Sequence, residues 1–136
     1  MFGTAIDYEK IRIRRRKWFP FQPRDTIMAP RGHLHFHPGS THYCDDFGAA
    51  PLGLQGLFIH EMVHVWQHQQ GISLPLRRLP FSRYTYRLKP GKPLRAYGIE
   101  QQAEIVRHAF LRRSGASAPG SERRAYDAIV AFPGAG

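Results

Sequence analysis

His60 and His64 stand four residues apart, with Glu61 directly after the first, in the middle of an apolar, helix-compatible run. Nothing else in the chain constrains the fold as strongly. Residues four apart on a helix lie about one turn up and roughly 40° around from each other. Both imidazoles then reach one ion at the roughly 2.0–2.1 Å that zinc prefers. Glu61 leans toward the same ion without binding it, placed to take a proton from an activated water. Such a helix must lie inside the core and still satisfy its polar stripe, because imidazole and carboxylate need partners in apolar surroundings.

The flanks fit that demand. Leu54, Leu57, Phe58, Met62, Val65 and Trp66 fall near helical spacing. Asp45 or Asp46 lies near the start and Gly71 supplies a stop, so the pattern predicts a helix over 47–71. HExxH alone is a weak signal in a chain with eight histidines. The competing reading is two core histidines satisfied by hydrogen bonds, beside one surface glutamate.

A catalytic zinc (Zn2+) site usually takes three protein ligands and leaves one position open. Candidates for the third lie in a second predicted helix over 97–114, where Ile99, Ala103, Val106 and Phe110 make an apolar stripe. Glu100 and Glu104 are one turn apart, and stacked carboxylates are unfavourable unless a cation lies near them. Glu100 is assigned as the metal ligand. Glu104 is assigned outside it, accepting the other ring N–H of a ligand histidine. Glu104 and His108 are the rivals for third ligand.

HExxH followed by Glu100-Gln101-Gln102-Ala103-Glu104 resembles the gluzincin metallopeptidases, including their minimal zincin-like members. The stretch from Phe36 to Gly71 is also similar to small bacterial proteins described as Vgr-related or Rhs-associated. The likeness covers most of the chain. It implies His60, His64 and Glu100 on the metal and Glu61 as general base. Many gluzincins carry aspartate where this chain has Glu104.

A length of 136 residues suits one domain, 1–136. No apolar run is long enough for a membrane span. The first residues lack a charged region followed by an apolar stretch, so no secretory signal is expected. Cys44 is the single cysteine, which excludes an internal disulfide; as a fourth ligand to zinc it is a minor alternative to a small buried residue. The expected localisation is cytoplasmic, or export without a classical signal peptide. Net charge is +10, concentrated around Arg12–Lys17, Arg77–Arg95 and Arg107–Arg124. That balance favours an acidic partner or substrate. It comes without a recognised nucleic-acid motif.

The expected fold class is α+β and zincin-like: a small antiparallel or mixed sheet of two to four strands on the two ligand helices. Residues 1–46 supply strands and loops. A strand spans 5–16, and Thr26–Pro30 and Gly32–His37 form a hairpin. His33, His35 and His37 alternate in the last of these, which also admits metal binding. By analogy with zincins, Leu34, His35 and Phe36 form the substrate ledge. Residues 72–96 form an irregular loop across the cleft. Tyr97 is the choice for oxyanion stabilisation, with Tyr84 and Tyr86 as rivals. A final helix spans 121–131, capped by Ser121, with Ala125, Ile129 and Val130 packing; a mobile tail begins at Phe132.

The leading expectation is a zinc-dependent peptidase acting on peptide or protein. The first alternative is a non-catalytic metal-binding module docked to a secretion or phage-tail-like assembly. The second is a basic nucleic-acid-associated protein.

Overall fold

The computed structural model describes residues 1–14, 27, 32–40, 46–72, 84–116 and 123–132. Thr26, Met28, Ala29, Pro30, Cys44 and Ser121 fall outside them, so the strand over Thr26–Pro30 (Ile27 apart), the Cys44 role and the Ser121 cap do too.

The architecture is α+β, dominated by two helices. Helix α1 spans Leu52–Gln69 and packs along helix α2, Ile99–Arg113. α1 begins later than the pattern predicts. Ala50 is extended, as a residue before proline prefers, so the helix starts beyond Pro51. Asp46 serves a separate 3-10 turn at Phe47–Ala49, where its side chain accepts from the Gly48 N–H. The stop falls at Gly71, whose φ of 88° is the left-handed conformation a helix exit needs. Its N–H donates to the His68 carbonyl while the Ile72 N–H donates to that of Gln67, closing a Schellman motif.

From His60 to Gln67 every α1 residue is buried. Met62, Val63, Val65 and Trp66 meet a core that includes Ala103, Ile105, Val106 and Ala109 of α2. The helices approach closely at Gly56, where a Cβ would lie 3.2 Å from Leu111 Cδ2.

Strand β1 (Ile13–Arg14) pairs with β2 (Leu34–His35), Ile13 opposite Leu34. The pairing is parallel, which corrects the expected antiparallel or mixed sheet. Positions 15–33 give the chain the dozen or more residues a parallel crossover requires. The predicted strand over 5–16 shrinks to two residues. Half of the chain before it is taken up by 3-10 turns at Gly3–Ala5 and Tyr8–Lys10, the second capped by Asp7.

The last helix, α3, spans Arg123–Asp127 among the described residues and ends before the predicted 131. Tyr126 and Val130 are its buried residues and neighbours. Arg113 of α2 holds this segment by donating to Asp127 Oδ1 and the Val130 carbonyl. Phe132 is not part of a loose tail: its ring lies 5.0 Å from Phe2 and 5.4 Å from Trp66. Among the described residues no helix is long and apolar enough to cross a membrane.

Candidate metal centre

The polar stripe of α1 faces the first turn of α2. His60 Nε2 lies 3.3 Å from Glu100 Oε2, and His64 Nε2 lies 3.2 Å from the same oxygen. All three side chains are buried, His64 completely. One ligand atom from each lies within 4.8 Å of the others. Ligands at zinc's bond length occupy tetrahedron corners about 3.3 Å apart, close to the separations observed.

The surrounding hydrogen bonds fix which ring nitrogens point inward. Gln67 Nε2 donates to the Ile99 carbonyl at 3.0 Å and to Gln102 Oε1 at 3.1 Å. Gln102 Nε2 donates in turn to the Tyr97 carbonyl at 2.8 Å. Those acceptors orient both amides, because an NH2 group must face them. Gln67 Oε1 is left facing His64 Nδ1 at 2.8 Å, so that nitrogen carries the proton. His64 Nε2 therefore presents a lone pair to Glu100.

His60 is arranged in the same way. Its Nδ1 lies 3.1 Å from Glu104 Oε1, whose charge favours a proton on that nitrogen, and Nε2 is directed at Glu100. With neutral imidazoles, two nitrogen lone pairs and a carboxylate converge on one buried point. That is unfavourable unless a proton or a cation sits there. In the metal-free protein a proton fills the role at His60. Burial pulls its pKa down, but contacts with Glu100 and Glu104 and the charge of Glu61 outweigh burial and push it up to about 9. The donor set, two imidazoles and one carboxylate, suits zinc. These residues thus fit a resident divalent ion.

The remaining site expectations fare differently. Glu61 is buried at 7% exposure, not a surface glutamate. Glu104 contacts His60 rather than joining the convergent set. His108 contacts Glu104 and Tyr86, which removes it as a rival ligand. Tyr97 is corrected: its hydroxyl accepts from the Lys89 N–H, its ring lies under Lys92, and it is 5% exposed. It is a packing residue. The tyrosine bordering the centre is Tyr84, stacked on His60 with centroids 6.1 Å apart and 54% exposed.

The substrate ledge is corrected in part. Leu34 and Phe36 are fully buried and belong to the core; of the three residues only His35 is partly exposed. Among the described residues the histidine alternation builds no second centre. His33 Nδ1 accepts from the Arg12 N–H and His37 Nδ1 from the Gly39 N–H. Sequence reasoning missed Gln67 and Gln102. The available signal was Gln67 one turn after His64, a polar residue on the same face of an apolar helix.

No family model matches the chain. The type VI secretion system spike protein VgrG2b of Pseudomonas aeruginosa is 40% identical over 141 residues, covering 98% of this chain. The chain spans only 14% of that protein's length. The solved effector domain of Pseudomonas aeruginosa VgrG2b is 39% identical with a TM-score of 0.75, over 91% of this chain and 70% of that domain. These findings overturn the expected membership of the gluzincin metallopeptidases, and replace the broad likeness to Vgr-related or Rhs-associated proteins with a specific relative. HExxH and ExxxE are short local patterns, and local chemistry recurs on unrelated folds. The chain belongs to the family of the VgrG2b effector domain.

Proposed function

We propose that this chain is an effector module associated with a type VI secretion spike, and that its centre holds zinc and hydrolyses peptide bonds. The secretion link rests on the relatives' names and is independent of turnover. The hydrolytic reading rests on one observation: two imidazole lone pairs and the Glu100 carboxylate converge on a buried point. His60, His64 and Glu100 would hold the ion, which when bound supplies Lewis-acid activation of water and of a carbonyl.

The chain's own groups do the rest. Glu61 takes a proton from the attacking water and passes it to the leaving amine. Its burial beside His60 keeps bulk water from competing for that proton. Tyr84, rather than Tyr97, is the tyrosine positioned to donate to a developing oxyanion. The net charge of +10 steers acidic substrates toward the protein.

The test pairs metal analysis with digestion of a peptide library. The parent should carry one zinc per chain and cleave in a chelator-sensitive way. Glu61→Gln should keep the zinc and lose cleavage, and His60→Ala should lose both. A parent that binds zinc but cleaves nothing in the library would favour the non-catalytic module. A parent that binds no zinc would remove the metal centre altogether.

A further inference from the structure

The polar contacts do not stop at Glu104. Its second oxygen, Oε2, lies 3.4 Å from His108 Nε2, one turn further along α2. The opposite ring nitrogen of His108, Nδ1, lies 2.6 Å from the Tyr86 hydroxyl. That hydroxyl lies 2.7 Å from the hydroxyl of Tyr126, which is 1% exposed in α3. Five side chains from four segments thus form one line from His60 to the C-terminal helix.

The protons along this line have a defined order. Burial, the Tyr126 hydroxyl and the Glu104 charge raise the Tyr86 pKa, with Arg112 opposing, so its hydroxyl stays protonated. Burial, opposed by Glu104 and aided by Arg107, His60 and Arg112, holds His108 below the usual histidine range. His108 is then neutral near pH 7 and has one ring proton to place. An ionised carboxylate only accepts, so Nε2, which faces Glu104, carries the His108 proton, and Nδ1 accepts from the Tyr86 hydroxyl. His60 Nδ1 and His108 Nε2 therefore both face one carboxylate, one at each oxygen, at 3.1 and 3.4 Å. Arg107 also donates to Glu104 Oε1 at 3.4 Å, from a more exposed position where solvent screens the pair.

We infer that His108, held in one tautomer by Tyr86, is a positioning residue for the metal centre: it fixes the Glu104 carboxylate that orients His60. This rests on the metal-centre reading proposed above. Without the Tyr86 hydroxyl, His108 can carry its proton on either nitrogen. In the wrong tautomer a lone pair faces Glu104 and pushes the carboxylate away from His60. Partners of a ligand histidine typically matter 10–100-fold in metal affinity. A group one layer further out belongs at the lower end of that range.

The experiment is competition titration with Zn2+ alone, using the full chain, together with the visible absorption spectrum of the Co2+-loaded protein. Tyr86→Phe keeps the ring packing and should weaken Zn2+ affinity about tenfold and shift the Co2+ bands. His108→Ala should weaken it at least as much. His108→Gln, which still presents an N–H to Glu104, should restore affinity to within about threefold of the parent. A purely structural role predicts otherwise: Tyr86→Phe would melt earlier yet bind Zn2+ like the parent with unchanged Co2+ bands, and that result overturns the inference. A parent that binds neither ion would sink the metal-centre reading itself and this inference with it.

Discussion

Replacing Gln67 with leucine probes the tautomer argument at its narrowest point. The side chain is fully buried and makes three hydrogen bonds, accepting from His64 Nδ1 and donating to Gln102 Oε1 and the Ile99 carbonyl. Leucine is close in volume, so little cavity cost is added. The Ile99 carbonyl is within α2 and keeps its place in the helix ladder. His64 Nδ1–H and Gln102 Oε1 lose their partners outright, at about 1–3 kcal/mol each. The expected destabilisation is therefore about 4 kcal/mol, which lowers Tm by roughly 12–20 °C in a domain of this size.

The same substitution should move metal binding. With no acceptor at Nδ1, His64 is free to place its proton on Nε2, facing Glu100. Zn2+ affinity should fall about 10–100-fold. Calorimetric melting and competition titration on the same preparation read the two effects separately. Gln67→Glu sharpens the comparison. Its carboxylate still accepts from His64 Nδ1 but meets Gln102 Oε1 as a second acceptor, so stability should drop while Zn2+ affinity is retained. If Gln67→Leu bound Zn2+ as tightly as the parent, the His64 lone pair would not be set by Gln67. The two imidazole lone pairs would then not converge on Glu100 in the way the hydrogen bonds imply.

Three further outcomes follow from the geometry. His60 is pushed up to about 9 in the metal-free protein, above its ordinary value near 6.5, so its stabilising contacts are fully present below pH 6.5 and are lost as pH rises toward 9. Zn2+ must displace that proton, so apparent affinity should tighten by up to about tenfold per pH unit across this window, and an affinity independent of pH would show that His60 is already neutral. Gly56→Leu should destabilise by about 1–3 kcal/mol in denaturant melts, because Leu111 and Arg107 stand against that position. Gly56→Ala should fall near zero, since a helix gain of about 1 kcal/mol offsets the shift Leu111 must make. Phe132→Ala should cost about 2–3 kcal/mol through lost contact with Trp66 and Phe2, whereas a loose tail would cost nothing.

Much of the centre was legible because it is local. The i, i+4 spacing of His60 and His64, the Gly71 stop and the one-turn spacing of Glu100 and Glu104 depend only on helix geometry, which nearby residues decide. Their convergence required α1 and α2 to pack, and the apolar stripes made that a fair expectation. The errors lie where partners are distant in sequence. Tyr97 and Tyr84 are equally plausible as letters; only the path of the segment before α2 sends one hydroxyl to the Lys89 N–H and stacks the other ring on His60. Leu34 and Phe36 read as one face of a strand, but nothing local told whether that face met solvent or core.

By itself, then, the sequence determined two helices, the stop at Gly71 and the residue types a metal would need, because short-range backbone geometry specifies all of these. Tertiary structure decided the parallel direction of the two strands, the Gln67–Gln102 bracket on His64 and the His108–Tyr86–Tyr126 line behind Glu104. Each of those joins groups far apart along the chain. Which polar atoms meet there depends on how the apolar surfaces of several elements pack together, and no local pattern encodes it.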